Sequence, residues 1–121
     1  MNKLEWALRI KNASKAAGTY EAVFDDVIDT LAGILEQRDK LQEEFEQGGG
    51  DAVVSHTNRG GSTNPVKNPA VVMINDLNKT ALAYWRDLGL TPAGLKRLRD
   101  TNQTQEDKPA TLGAMLKDIG L

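Results

Sequence analysis

The 121-residue chain has no cysteine and one histidine, His56, so any chemistry falls to hydroxyls, amides and charges. Without thiolates there are no disulfides and no thiolate metal sites, and a lone imidazole completes neither a triad nor a ligand set. No nucleophile, base and orienting group can be combined from the other residue types. The reading is therefore no catalytic residue, no cofactor and no metal. Glu21, Asp25 and Asp29 recur at four-residue spacing and could in principle hold a cation. A solvated face, with acids near the positive end of a helix dipole, explains them better. The glycines after Arg59 invite a phosphate-loop reading, but no Gly-Lys-Ser/Thr follows and no helix opens from them.

Cations are the remaining candidates, and they are unevenly placed. Residues 1–18 carry net charge +3, residues 19–51 carry -8, residues 52–100 carry +4 and residues 101–121 carry -1, for a total of -2. Such asymmetry suggests that the acidic and basic surfaces face different partners. With a pI near 5.4 the chain is no general coat for nucleic acid, so contact with phosphates must be local. Lys3, Arg9, Lys11 and Lys15 read either as a basic arm that closes on phosphates or as solvated charges on a chain end. Arg59 and Lys67 read the same two ways.

These side chains must be positioned by helices. Residues 1–17 have helical character, with Leu4, Leu8 and Ala7 on one side. Gly18 breaks that helix and Thr19 caps the next, which runs to about Gln47. Along it Tyr20, Phe24, Val27, Leu31, Ile34, Arg38, Leu41 and Phe45 follow steps of three and four, an apolar row interrupted only at Arg38, and Val23, Ile28 and Leu35 widen the stripe. At about 1.5 Å per residue this helix spans roughly 42 Å against roughly 30 Å for the later one. Its apolar surface exceeds what one partner helix can cover, which predicts oligomerisation. Gly33 inside it either admits a neighbouring backbone or marks a bend.

Gly48 to Gly50 end the helix. The connector 51–67 contains a possible short strand over Ala52 to Ser55 and a turn over Asn58 to Gly61, and Pro65 confines any returning strand to an edge. Pro69 opens a second long helix, with Ala70, Ile74, Leu77, Ala81, Tyr84 and Leu88 on one face. Gly89 supplies the left-handed stop. Thr91 and Pro92 then restart a short helix, with Leu95 and Leu98 inward and Lys96, Arg97 and Arg99 outward. After Asp100 the chain is polar up to a final amphipathic stretch, where Leu112, Met115, Leu116 and Ile119 share a face that needs something to dock on.

The fold class read from this is all-α: a long antiparallel helical hairpin with a short corner helix, forming a ring-like oligomer, with a small β-hairpin in the connector. The regions are a basic arm or helix at 1–18, the hairpin core with its corner at 19–100, and a tail at 101–121. No apolar run is long enough to cross a membrane.

Asn68 and Pro69 ahead of a long helix, then Leu88, Gly89, Leu90, Thr91 and Pro92, then Arg97 and Leu98, resemble the pattern of one large family of tailed-phage terminase small subunits. The resemblance covers about residues 20–100. It departs at Leu95, where members often carry a second arginine, and this takes one cation from that turn. It implies a non-catalytic subunit in the host bacterial cytoplasm that binds double-stranded phage DNA at the packaging-initiation region as a homo-oligomer. The DNA then passes to the large terminase subunit, which owns the ATPase and nuclease. On that reading Arg59, Lys67, Lys79, Arg86, Lys96, Arg97 and Arg99 contact DNA, with Lys3, Arg9, Lys11 and Lys15 as an arm. Phe24, Val27, Ile28, Leu31, Ile34, Leu35, Tyr84 and Trp85 make the oligomer, and Leu112, Met115, Leu116 and Ile119 dock the large subunit. The alternative is a helical-hairpin adaptor or antitoxin-like module whose basic corner never meets DNA.

Overall fold

A computed structural model of the chain describes residues 1–57 and 59–101, apart from the His56 side chain. Its elements are α1 (Lys3–Ala17), a 3-10 turn (Ala22–Phe24), α2 (Asp25–Gln47), β1 (Val53–Thr57), β2 (Thr63–Lys67) and α3 (Pro69–Asp87). Residues 92–101 are helical and are called α4.

Asn2 starts α1 by a reciprocal capping box with Glu5, and Gly18, at φ 75°, closes it. Thr19 does not cap the next helix as expected. Its N–H donates to the Ser14 carbonyl at 2.9 Å, which finishes α1, and α2 begins only at Asp25 after the 3-10 turn. The 23 residues of α2 span about 35 Å and the 19 of α3 about 28 Å, so the expected length mismatch is halved.

Helix α2 is the centre of the fold, with α1 and α3 both packed on it. Its far half meets the near half of α3, where Arg38 Nη1 donates to Asn78 Oδ1 at 3.3 Å. At the other end Gly89, just past α3, lies beside Thr19 and Leu98. The two helices therefore run antiparallel, as the hairpin reading required. Ile10 from α1, Ile28, Leu31, Ala32 and Leu35 from α2, and Ala81 and Leu88 near the end of α3 form one small aliphatic core.

The first helix is part of that core. Ile10 is 0% exposed and Ser14 is buried, whereas Leu4 and Leu8 are 81% and 62% exposed. The inward face is set by Trp6, Ala7, Ile10 and Ser14, a row of three- and four-residue steps that the more conspicuous leucines masked. Trp6 Nε1 donates to Asp39 at 2.7 Å, the Lys3 N–H to Glu36 at 2.7 Å, and Lys3 Nζ lies 3.1 Å from Asp29. The basic first segment and the acidic one thus face each other in one subunit, and α1 covers much of the apolar surplus of α2.

The connector forms an antiparallel two-stranded ribbon, with Val53 opposite Lys67 and Thr57 opposite Thr63. A returning strand carrying Pro65 is an edge strand, as expected, and the chain between Gly61 and Asn68 is otherwise solvent-exposed.

Candidate nucleic-acid interface

The corner between α3 and α4 is a tightly constructed, cation-bearing feature. Leu88 caps α3, Gly89 turns left-handed at φ 75°, and the Leu90 N–H returns to the Trp85 carbonyl at 2.8 Å. Thr91 Oγ1 then accepts from the Gly94 N–H at 3.1 Å, the N-cap bond the sequence predicted. Gly94 is buried against the carbonyl of Arg86, so close that a Cβ there would collide with it. Sequence reasoning missed this contact, because a glycine in a first helical turn is read as a weak helix former until its tertiary neighbour is known.

With Gly94, Leu95 and Leu98 turned inward, Lys96, Arg97 and Arg99 are exposed. On α3 Lys79, Leu82 and Arg86 follow at three and four residues along the outer face, Leu82 being 60% exposed. Arg86 Nε lies 3.6 Å from its neighbour Asp87, an exposed pair of little energetic weight. Arg59 and Lys67 are exposed on the ribbon, at the opposite end of α3 from the corner, a helix length of about 28 Å away.

The cations of α1 are committed to local partners. Arg9 lies over the Trp6 ring, 5.5 Å from its centroid, and Lys11 and Lys15 lie 5.1 and 5.4 Å from that of Tyr20. The Tyr20 hydroxyl donates to Asp25 at 2.8 Å, and its bond to Lys11, with the nearby Asp25 charge, raises the Lys11 pKa. Asp25 and Asp29 are thereby used by Tyr20 and Lys3. The candidate DNA set consequently falls into three groups: the corner with the outer face of α3, the ribbon, and α1.

Of the residues expected to hold copies together, Ile28, Leu31 and Leu35 are buried inside the subunit. Phe24, Val27, Ile34, Tyr84 and Trp85 are half-buried at the margin of the same core. Leu112, Met115, Leu116 and Ile119 lie outside the described residues, as does Asn58 of the expected turn. Among the described residues no helix is long and apolar enough to cross a membrane.

A profile of the family described as phage terminase, small subunit, matches residues 3–105. The chain belongs to the phage terminase small-subunit family. No curated protein and no solved structure matches it. The terminase assignment agrees with the resemblance read from Asn68–Pro69 and Leu88–Pro92, and it extends over α1, which the motif residues did not reach. Membership of the terminase small-subunit family supports a role in phage DNA packaging.

Proposed function

We propose that this terminase small subunit is the recognition component of a phage DNA-packaging machine. Copies of the chain assemble, bind the packaging-initiation region of double-stranded phage DNA, and hand it to the large subunit, which carries the ATPase and nuclease. The observation that supports this most is the corner itself. Gly89, Thr91 and Gly94 fix a short helix so that Lys96, Arg97 and Arg99 stand out from the body, with Lys79 and Arg86 on the adjoining face. A few cations per copy suffice, because an assembly repeats them around one duplex and releases counterions at each phosphate.

Assembly on this reading uses the side of α2 and of the 3-10 turn before it that their own subunit leaves partly open, Val23 in the turn with Val27 and Ile34 on α2, and with Phe24, Tyr84 and Trp85 at the core margin. Ile28, Leu31 and Leu35 support that surface from beneath. The docking segment for the large subunit is the stretch containing Leu112, Met115, Leu116 and Ile119.

Light scattering for mass and retardation of a duplex across a salt series test the reading together. A multimer whose affinity falls steeply with salt is expected. A monomer or dimer that ignores DNA at low salt would instead fit a helical adaptor.

A further inference from the structure

The ribbon leaves the hairpin end away from the corner, and its composition sets it apart among the described residues. From Ala52 to Asn75 there is no acidic residue in a chain that is acidic overall. Every residue of β2 is exposed, and one ribbon face carries the half-buried Val54 opposite Val66. By register Ser55 and Pro65, Thr57 and Thr63, and Val53 and Lys67 share the other face. The Thr57 and Thr63 hydroxyls lie 3.1 Å apart on it.

The base of the ribbon is latched to α3 through Asn68. Its Oδ1 accepts from the Ala70 N–H at 3.0 Å and its Nδ2 donates to the Asp51 carbonyl at 3.0 Å. Its backbone N–H donates to the Ala52 carbonyl at 2.8 Å. One side chain therefore caps the helix and fixes the direction in which the ribbon leaves it.

We propose that this ribbon enters the major groove of duplex DNA, with Arg59 and Lys67 on the flanking phosphates and the Thr57 and Thr63 hydroxyls toward base edges. Asn68 is the positioning residue. The inference rests on the DNA-binding reading above and names a second element that carries it. A major groove about 12 Å wide admits a two-stranded ribbon, and an acid-free polar face with a cation near each end complements it. A second copy of the chain fits less well. The face with the two threonines has one exposed aliphatic side chain, Val53, rather than an apolar row to stack, and Pro65 has no N–H to offer a further strand.

The test is retardation of a short mixed-sequence duplex across a salt series, with mass by light scattering. Three proteins are compared: the full chain, the double variant Arg59→Ala with Lys67→Ala, and Asn68→Ser. The double variant should reduce the slope of log affinity against log salt by about two for each ribbon engaged, at about 0.9 per phosphate, with mass unchanged. Asn68→Ser keeps a capping oxygen but removes the donor to Asp51, so it should weaken binding while the melting temperature holds. A full chain that binds duplex while the double variant keeps its slope would overturn the ribbon and leave the packaging role standing. A fall in mass with an unchanged slope would assign the ribbon to contacts between copies and equally overturn it. A full chain that ignores duplex at low salt would end both.

Discussion

At Gly94 there is no room for a methyl group, because the Arg86 carbonyl occupies the place where a Cβ would be built. Gly94→Ala should therefore push α4 off the end of α3 and cost about 1–3 kcal/mol, the usual penalty for overpacking. Gly33, the glycine the sequence marked for close approach, is the contrasting case. A Cβ there meets only Lys3 Cε at 3.8 Å, an ordinary contact. Gly33→Ala should stabilise α2 by up to about 1 kcal/mol through helix propensity alone. Denaturant midpoints of the two variants check both signs. Each glycine was visible in the sequence, but which one mattered was not, because the answer depends on a carbonyl eight residues away from Gly94 across a turn.

At the scale of elements, the docking of α1 on α2 turns on Asp39. Burial pushes its carboxyl pKa up, but hydrogen bonds from Trp6 and Arg38 and from the terminal amine outweigh that and hold it below the ordinary value of 3.8. A depressed folded-state pKa means the contribution to stability is complete above 3.8 and is lost as pH falls through the folded value. The melting temperature of the unsubstituted chain should exceed that of Asp39→Asn at neutral pH, and the gap should narrow once the pH falls below 3.8. A gap that does not narrow as the pH is taken further into the acid range would remove Asp39 from the latch. Starts and stops of elements were legible because they are local: Asn68 before Pro69, Gly89 in the left-handed region, and Thr91 before Pro92 act through bonds within a few residues. The role of α1 was not legible. Leu4 and Leu8 advertise a face that the fold leaves in solvent, and only the acids of α2 select the face bearing Trp6 and Ile10.

For the whole molecule, the apolar surplus on α2 that predicted assembly is largely taken up by α1, so the apolar surface left outward is narrower than the stripe suggested. The basic and acidic segments, read as serving different partners, are partly spent on each other through Lys3, Asp29 and Glu36. What remains outward is a basic corner at one end and an acid-free ribbon at the other, about 28 Å apart along α3. On the function proposed above, the two features would meet a duplex at two levels, and repetition of the chain would multiply both.

The corner is the central claim, and the salt dependence of duplex binding by a variant with Lys96, Arg97 and Arg99 all changed to alanine tests it most directly. All three side chains are exposed, so mass and melting should be unaltered. The slope of log affinity against log salt should flatten by about 0.9 for each phosphate that the variant no longer neutralises. A slope equal to that of the unsubstituted chain would show that DNA never touches the corner.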